Sequence, residues 1–449
     1  IQRPRLFEPG FLLSSNMQSR VLEGFKRIEG RFPTDARARL LSRAQDHEPF
    51  AFLDGHHYPD PFGSFDWLAA WEGDPLPVDD LKGLYTAWRK DPSWLFGYLS
   101  YDIKNQIEEL TSTNEDLVGL PELWFFRPMN ILIADKDGVW YKGPHTEETV
   151  LEWLRSAEPI QPWEGHLALE SQVDQEQYLE AVAKLKEHIQ RGDIYEVNYC
   201  IPFLAEGNVD PYAIFEGLNK IANAPFSAFL SWREGAILSA SPERYLAKRG
   251  QRLVSQPIKG TAPRSRDPKL DMENARSLVR SVKERAENVM IVDLVRNDLS
   301  RVASRGSVSV PELFGVYKYP TVHQMISTIT ADLREGLSWL DVIQASFPMG
   351  SMTGAPKVRA MQLIEKVEIF RRGIYSGAMG YITPDGDMDL NVVIRSIVMN
   401  RRTQRLLAGV GSAITTLADP LEEYKECQLK VKAIRQALDP HPGPPSPNG

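Results

Sequence analysis

Residues 226–256 read FSAFLSWREGAILSASPERYLAKRGQRLVSQ, and this stretch carries the clearest strand pattern of the chain. It contains four short runs of strand-forming residues, separated by glycine, proline or charged residues that favour turns. The runs are Phe226–Trp232, Ala236–Ser239, Arg244–Ala247 and Leu253–Gln256. Their short connections predict a β meander of antiparallel strands.

Helical patterns alternate with strands on both sides of this meander. Asp174 and Gln177 form a capping-box pattern at the start of one helix. Asp419 and Pro420 mark the start of the last helix, because they supply an N-cap and a first helical residue with fixed φ. Long antiparallel strand sets with helices between them favour an α+β fold over a doubly wound sheet. Two more helices and one more strand are predicted between these points: Lys269–Arg285, Ala286–Val302 and Leu390–Met399.

The first third of the chain is predicted to be mainly β, with few helices. Aromatic runs such as Leu95–Tyr101 are typical of strands, and Asp135–Gly138 is a turn signal for a hairpin. A polar, proline-containing stretch closes this part of the chain. We therefore expect an N-terminal, mainly β domain over residues 1–165, a second domain over residues 170–438 and a disordered tail over residues 439–449.

Composition and charge exclude several classes of protein. The 449 residues carry a net charge of −8, which disfavours a protein that binds nucleic acid. No run of apolar residues is long enough to predict a membrane-spanning segment. The chain has two cysteines, Cys200 and Cys427, which excludes a disulfide framework and a structural zinc site and predicts a cytoplasmic protein.

Two predicted helical segments each carry a pair of glutamates three residues apart. Glu284 and Glu287 form one pair, and Glu423 and Glu426 form the other. This spacing places both carboxylates of a pair on the same helix face. Such oxygen donors suit a hard cation such as Mg²⁺, although a solvated helix face has the same spacing. The residues alone leave both alternatives open.

Three further side chains have the character of site residues. Lys259 lies on a segment stiffened by prolines and a glycine, where burial would lower the pKa of the amine and make it a nucleophile. A solvated loop lysine is the alternative. Arg395 lies within an apolar predicted strand, so it must meet an anion, either a structural carboxylate or a ligand. His323 is either a hydrogen-bond donor to a ligand or a satisfied core histidine.

Several segments match one family in sequence and in order: Gly192–Asn198, Ser239–Glu243, Pro257–Thr261, Arg285–Asp298, Phe347–Lys357, Tyr375–Tyr381 and Glu423–Glu426. Together they resemble the chorismate-utilising enzymes. This family includes the large subunits of anthranilate synthase and aminodeoxychorismate synthase, and also the isochorismate and salicylate synthases. The resemblance covers about residues 174–437, and the number and order of the segments make it specific.

The resemblance implies a two-domain α/β sandwich of large antiparallel β-sheets with helices outside, of the anthranilate synthase component I type. It also implies that chorismate and Mg²⁺ bind in a central cleft. Glu287 and Glu426 would ligate Mg²⁺, and Glu284 and Glu423 would act directly or through water. The metal would hold the ring carboxylate of the substrate.

The same resemblance implies a set of substrate-binding residues. Arg395, Tyr375 and the backbone near Gly411 would hold the enolpyruvyl carboxylate of chorismate, and His323 would face the C4 hydroxyl. The remaining pocket residues that the resemblance implies are Thr261, Thr353, Gly354 and Lys430.

Position 259 separates the members of the family. Aminodeoxychorismate synthases carry lysine there, within the Pro-Ile-Lys-Gly-Thr pattern of residues 257–261, and the other members carry alanine. The resemblance therefore implies conversion of chorismate and ammonia to 4-amino-4-deoxychorismate, for 4-aminobenzoate and folate synthesis. Lys259 would add to C2 and Glu243 would act as the acid. The alternatives are an anthranilate synthase large subunit and a non-catalytic chorismate-binding subunit.

The resemblance also implies where the ammonia comes from, and the chain departs from the family pattern at three positions. Neither cysteine has the sequence context of a glutaminase nucleophile, so the resemblance implies a separate glutamine amidotransferase subunit, and also a separate downstream lyase. Glu196 replaces the glutamine that is usual in amidating members, and Met349 replaces a glycine. Gly55 replaces the serine of a tryptophan-feedback motif.

Overall fold

The computed structural model describes residues 22–63, 65–320 and 322–441. Residues 442–449 of the predicted disordered tail lie outside the described residues. The strands are β1 Lys26–Arg27, β2 Phe50–Asp54, β3 Trp67–Pro75, β4 Leu95–Leu99, β5 Leu123–Asp135, β6 Gly138–Lys142, β7 Glu170–Ser171, β8 Glu196–Glu206, β9 Phe226–Trp232, β10 Gly235–Ser241, β11 Arg244–Arg249, β12 Arg252–Gln256, β13 Ile258–Pro263, β14 Ser309–Lys318, β15 Val322–Asp332, β16 Gly354–Ala355, β17 Ala378–Ile382, β18 Met388–Val392, β19 Ser396–Asn400 and β20 Arg405–Ile414.

The helices lie between these strands and at the end of the described chain. They are α1 Ala36–Ala44, α2 Leu81–Lys90, α3 Lys104–Ile107, α4 Glu147–Ser156, α5 Gln175–Gln190, α6 Pro211–Ala222, α7 Pro268–Arg280, α8 Val282–Ser300, α9 Trp339–Ser346, α10 Lys357–Val367, α11 Pro420–Lys430 and α12 Lys432–Leu438. Short 3-10 helices cover Tyr101–Ile103 and Gly350–Met352. The helices of the described chain include none with the length and apolar content to cross a bilayer.

The strands form two large antiparallel sheets that share β5. The first sheet runs in the order β6–β5–β3–β2–β9–β10–β19–β20–β8. The second sheet runs β5–β4–β17–β18–β11–β12–β15–β14. The amino end of β5 pairs with β4 and the rest pairs with β3. The α+β class with large antiparallel sheets is thus confirmed.

Alternating residues of the first sheet pack into two different cores. Ala51 and Leu68 lie in one core together with Tyr98 and Leu253 of the second sheet. Their neighbours, such as Phe52, lie in the other core, which the outer helices cover. This alternation follows from the two-residue repeat of a strand, and it produces a sheet-on-sheet sandwich with helices on its outer face.

Residues 226–256, which were predicted to form one meander, are divided between the two sheets. β9 and β10 pair in the first sheet, and β11 and β12 pair in the second. The prediction of one continuous meander is therefore wrong, because the chain crosses between the sheets at Pro242 and Glu243. A period-two pattern gives the face of a strand but does not give the sheet to which it belongs.

A second crossing corrects the prediction of one strand over Leu390–Met399. β18 lies in the second sheet and β19 lies in the first. Arg395 stands between them with a left-handed φ of 52°, so it is not in the middle of a strand. The two crossings are hydrogen-bonded together, since Val392 N donates to Glu243 O at 3.0 Å and Ala240 N donates to Arg395 O at 3.2 Å.

The sequence predicted where helices start and where the hairpin turns more accurately than it predicted which strands pair. The side chains and backbones of Asp174 and Gln177 form the predicted capping box. Asp419 accepts hydrogen bonds from the backbone at the start of α11. The Asp135–Gly138 hairpin is confirmed by the pairing of its two ends. The boundary between the two central helices falls at Ser281, which caps α8, four residues before the predicted boundary.

Strands from the first third of the chain extend both sheets. β2 pairs with β9 in the first sheet, and β4 pairs with β17 in the second. Gly97 in β4 faces Gly380 in β17. The division into domains at residues 165–170 stays a prediction.

We expect Gly97→Ala to reduce the free energy of unfolding by about 3 kcal/mol. A Cβ at Gly97 would collide with the carbonyl oxygen of Trp124 and with Phe125, so β4 would have to move away from β5. The matched control is Gly217→Ala in α6, where a Cβ meets nothing within 4 Å and a helical alanine should stabilise by about 1 kcal/mol. Urea unfolding of both variants measures the effects, and equal effects would contradict the strand contact.

Candidate functional site

The two crossings place an acidic residue and a cationic residue at neighbouring backbone positions between the sheets. Glu243 lies on the crossing from β10 to β11 and Arg395 lies on the crossing from β18 to β19. The Glu243 side chain is buried, and Ser351 Oγ donates a hydrogen bond to Glu243 Oε1 at 2.6 Å. Burial raises the pKa of Glu243 to about 7, against smaller lowering effects of Ser351 and the charge of Lys259. Glu243 therefore carries a proton for much of its population near neutral pH.

Lys259 lies in β13 and points into the same region. Its Nζ atom is 2.7 Å from Glu196 Oε1, and the residue is only 9% exposed. The following residue, Gly260, has a φ of 97°, and a Cβ there would lie 2.9 Å from Glu284 Oε2. Glycine is thus favoured by the backbone conformation, and its missing side chain leaves room for the Glu284 carboxylate. The alternative of a solvated loop lysine is wrong.

The charge state of Lys259 differs from the prediction. Burial acts to lower the pKa of the amine, but the carboxylates of Glu196, Glu287 and Glu243 together raise it above its ordinary value. The prediction that burial frees the amine is therefore wrong. Lys259 is therefore an ammonium ion that contacts the Glu196 carboxylate directly, with Glu243 and Glu287 acting on its charge from a greater distance.

Glu196 is fixed by its position at the start of β8. It pairs with Ala355 in β16, and a Cβ at Gly354 would collide with the Glu196 carbonyl oxygen. Within the described part of the chain, Glu196 Oε2 is buried and has no hydrogen-bond partner. The sequence identified Glu196 only as a departure from the family pattern, and the partnership with Lys259 was missed.

The four glutamates of the predicted cation site converge from α8 and α11. Glu287 and Glu423 are buried, so a fully solvated helix face does not describe them. Burial first, and then the charges of Glu426 and Glu423, raise the pKa of Glu284. Burial raises the pKa of Glu287 to about 7. The carboxylates are therefore close enough to repel one another.

Two lysines, Lys283 and Lys430, form ion pairs with these carboxylates. Lys283 Nζ lies 2.6 Å from Glu423 Oε1 and 3.9 Å from Glu287 Oε1. Lys430 Nζ lies 2.6 Å from Glu426 Oε1. Sequence reasoning missed Lys283, although it stands directly before Glu284 in the chain.

The fit of this cluster to a divalent cation is partial. Among the residues that the structure describes, no group of three or more His, Cys, Asp or Glu side chains is arranged to hold a metal ion. However, Glu287 Oε1 is buried without a hydrogen-bond partner in the same part of the chain. An unpartnered carboxylate oxygen beside other acidic groups is a suitable ligand for a hard cation. The carboxylate oxygens are the type of donor that Mg²⁺ prefers, but Lys283 and Lys430 form ion pairs with three of the four glutamates.

Arg395 has the properties of an anion-binding group. It is partly buried, and its guanidinium forms no hydrogen bond or ion pair with the described residues. Burial lowers its pKa, and the charges of Glu426 and Tyr375 act against this effect. A partly buried cation without an ion pair is available to bind an anion. Because no carboxylate pairs with it directly, the geometry favours a ligand over a structural partner.

Three predicted pocket residues near Arg395, namely Tyr375, Gly411 and Lys430, form one close-packed wall. Tyr375 is buried and its hydroxyl donates to Cys200 Sγ at 3.6 Å. A Cβ at Gly411 would lie 2.6 Å from that same sulfur. Lys430 Nζ donates to Gly411 O at 2.7 Å. Side chains in this wall therefore approach the backbone at Gly411 closely. A ligand held by backbone groups would need the same close approach.

Thr353 and Gly354 join this wall to Glu196. Thr353 is fully buried, and its hydroxyl donates to the carbonyl oxygens of Met349 and Gly350 at 3.3 Å. Gly354 pairs with Val197 at the start of β8. Asn198 N donates to Thr353 O at 2.9 Å and Asn198 Nδ2 donates to Cys200 Sγ at 3.2 Å, so the Gly350–Ala355 segment reaches both the wall and the strand that carries Glu196.

His323 and Thr261 lie at the outer end of the β13–β15 pairing. His323 Nε2 is 3.0 Å from Asp271 Oδ1, and Asp271 also forms an ion pair with Arg264 at 2.7 Å. A histidine with this partner matches the alternative of a satisfied core residue. Thr261 is exposed and pairs with Gln324. Their roles toward a substrate stay predictions.

Comparison with known proteins identifies relatives of this arrangement. Residues 72–436 match the family described as chorismate binding enzyme. The chain is 38% identical over 377 residues to aminodeoxychorismate synthase component 1 of Salmonella typhimurium, which covers 82% of this chain and 83% of that protein. It is 36% identical over 356 residues to anthranilate synthase component 1 of Thermus thermophilus, which covers 76% of this chain and 77% of that protein.

A solved structure matches the fold across the length of the chain. Anthranilate synthase component I from Streptococcus pneumoniae TIGR4 superposes with a TM-score of 0.73 at 24% identity, and the match covers 97% of this chain and 100% of that chain. This likeness confirms the predicted sandwich of large antiparallel sheets.

The raised pKa of Glu243 predicts a pH-dependent cost in stability. Its folded pKa of about 7 is above 4.5, so the stabilisation is fully present below pH 4.5 and is lost as pH rises through 7. Glu243→Gln removes this dependence. We expect the free energy of unfolding of the variant, relative to the unchanged protein, to rise by about 2 to 3 kcal/mol from pH 5 to pH 8.

Urea unfolding at several pH values measures this difference. Glu335→Gln is the matched control, because Glu335 is exposed and its removal should leave the pH dependence unchanged. A parallel pH dependence in Glu243→Gln and the unchanged protein would show that Glu243 is ionised throughout this range.

Proposed function

The chain belongs to the family of chorismate binding enzymes, and we propose that it is an aminodeoxychorismate synthase component 1. The reaction would convert chorismate and ammonia to 4-amino-4-deoxychorismate. The observation that carries this proposal is the buried Lys259 amine, which is surrounded by Glu196, Glu243 and Glu287. The family resemblance places alanine at this position in anthranilate synthases, and alanine has no group that could use such surroundings.

The chorismate carboxylates have two complementary sites. Arg395 lacks a protein partner within the described residues and would bind the enolpyruvyl carboxylate, beside Tyr375 and the backbone at Gly411. The ring carboxylate would lie toward the four glutamates on α8 and α11. Two negative groups on one ligand would then be held at opposite ends of the cleft, which fixes the ring relative to Lys259.

Lys259 and Glu243 would carry the bond changes. The neutral Lys259 amine would form a bond to C2 of chorismate, the ring double bond would shift, and the C4–oxygen bond would break. Glu243 would give its proton to the departing hydroxyl group, which leaves as water. A carboxyl group with a pKa of about 7 suits this role, because it still holds its proton near neutral pH. Ammonia would then bond to C4 and expel Lys259 from C2.

The glutamates on α8 and α11 are the proposed Mg²⁺ ligands. Glu287 and Glu426 would bind the ion, with Glu284 and Glu423 binding it directly or through water. When bound, Mg²⁺ would neutralise the ring carboxylate and allow it to lie beside acidic side chains. Lys283 and Lys430 would have to leave the carboxylates that they contact at 2.6 Å.

Ammonia would come from a separate glutamine amidotransferase subunit. Burial raises the pKa of Cys200 to about 12 and that of Cys427 to about 11, so neither thiol is suited to attack glutamine. The relatives named component 1 support a second component. Conversion of the product to 4-aminobenzoate would require a separate lyase.

Product identification tests the proposal. The chain is incubated with chorismate, Mg²⁺ and ammonium at slightly alkaline pH, and the products are separated and identified by mass spectrometry. We expect 4-amino-4-deoxychorismate from the unchanged protein. Lys259→Ala should lower its rate of formation on the order of 10³-fold with the fold kept, because the nucleophile is removed. The control is Lys366→Ala, which removes an exposed lysine on α10.

The outcomes separate the competing functions. Anthranilate with pyruvate would identify an anthranilate synthase. Unchanged amination by Lys259→Ala would exclude a covalent role of this lysine. Chorismate that binds but is not consumed would favour a non-catalytic binding subunit.

Glu426→Gln tests the proposed cation site. We expect the Mg²⁺ concentration for half-maximal activity to rise at least about tenfold, because one anionic oxygen ligand is lost. Calorimetric titration with Mg²⁺ in the presence of chorismate should show the same loss of affinity. Glu422→Gln is the matched control, since Glu422 lies on the same helix, is exposed and pairs with Lys425. An unchanged Mg²⁺ affinity in Glu426→Gln would show that Glu426 does not bind the ion and serves only as the ion-pair partner of Lys430.

A further inference from the structure

Lys259 must lose a proton before it can attack carbon. The charged groups that face it come from four elements, with Glu196 on β8, Glu243 on the β10–β11 crossing, Glu287 on α8 and Glu426 on α11. All of them are acidic and favour the ammonium form. A nucleophilic lysine in this position therefore needs an acceptor within hydrogen-bond reach, because a distant base cannot take the proton directly.

Glu196 is the group at the required distance. Its Oε1 atom lies 2.7 Å from Lys259 Nζ, and no other side chain within the described residues forms a hydrogen bond or ion pair with that nitrogen. Glu196 is only 1% exposed. Transfer of the proton would remove both charges from a buried site, and desolvation favours such a neutral pair.

The second carboxylate oxygen supports the same role. Within the described chain, Glu196 Oε2 is buried and has no hydrogen-bond partner. Structural ion pairs usually have the remaining oxygen satisfied, since a buried unpaired acceptor is costly. A carboxylate that is held by one contact and left free at the other oxygen can accept a proton without breaking an existing network.

We propose that Glu196 is the proton acceptor that converts the Lys259 ammonium to the nucleophilic amine. This inference rests on the proposed function. The Lys259 N–H bond breaks as a Glu196 O–H bond forms, and the lone pair that is released makes the bond to C2. When ammonia later bonds to C4, the expelled Lys259 amine recovers its proton from Glu196. The ammonium group formed at C4 returns one proton to Glu243, so protons and charges balance.

The residue type at position 196 decides whether this transfer is available. The glutamine that is usual in amidating members can hold the Lys259 ammonium by a hydrogen bond, but its amide cannot accept the proton at ordinary pH. Glutamate has the same length and adds a basic oxygen. The departure from the family pattern is therefore a change in proton transfer, whereas the shape of the pocket is kept.

The experiment compares Glu196→Gln, Glu196→Asp and the control Glu206→Gln. Glu206 lies at the other end of β8, is exposed and pairs with Arg405. The Lys259–substrate adduct is measured by rapid acid quench and intact mass spectrometry with chorismate and Mg²⁺, and kcat and chorismate KM are measured from pH 6 to pH 10. Thermal unfolding of each variant verifies that it is folded.

We expect Glu196→Gln to form the adduct on the order of 10²-fold more slowly at pH 7.5, with chorismate KM changed less than about threefold. Its rate should rise by about tenfold per pH unit, because solvent must now deprotonate Lys259. Glu196→Asp keeps a proton acceptor and should recover part of the rate with the pH profile of the unchanged protein. Glu206→Gln should match the unchanged protein.

Several outcomes would overturn the inference. One is a Glu196→Gln rate within threefold of the unchanged protein, and another is a lower rate with an unchanged pH profile. If Glu196→Gln does not fold, a Glu196→Asp profile that rises steadily with pH has the same meaning. Product formation by the unchanged protein without an adduct overturns this inference and leaves the product assignment intact. The absence of 4-amino-4-deoxychorismate in the first assay overturns the proposed function itself.

Discussion

The site depends on the hydrogen bonds that join two crossings between the sheets. Val392 donates to the Glu243 carbonyl at 3.0 Å, and Ala240 donates to the Arg395 carbonyl at 3.2 Å. The backbone groups of a chain that leaves one sheet for another lose their ladder partners, so they must find others. Here each crossing satisfies the other. As a consequence, Glu243 and Arg395, which are far apart in the sequence, are held at neighbouring backbone positions between the sheets.

The buried charges at the site are explained by a role in ligand binding and not by a contribution to the stability of the fold. Lys259 and Glu196 form an ion pair in which both residues are almost fully buried, and desolvation of such a pair can cost as much as the attraction returns. Arg395 forms no hydrogen bond or ion pair with the described residues, and Glu287 Oε1 has no hydrogen-bond partner among them, with Lys283 Nζ 3.9 Å away. Unbalanced charges of both signs in one cleft destabilise a protein, but they provide complementary contacts for a ligand with two carboxylates.

The sequence predicted features that depend on neighbours in the chain. The capping box of Asp174 and the hairpin at Asp135–Gly138 involve residues two or three positions apart. The assignment of strands to sheets was wrong, because alternation of apolar residues is the same in either sheet. The pKa direction of Lys259 was also wrong. It depends on carboxylates from β8, from a crossing and from α8, and that juxtaposition exists only in the folded chain.

The first third of the chain contributes to the site indirectly, through packing. Among the described residues, the charged groups assigned above to the site all come from the part of the chain after residue 165, yet strands from the first third extend both sheets. Trp124 stacks on Trp232 with ring centroids 5.0 Å apart, and Trp94 packs on Tyr381 at 5.4 Å. Such aromatic pairs each add about 0.5 to 1.5 kcal/mol beyond the area they bury. These contacts join the two parts of the chain and stabilise the sheets that carry the two crossings.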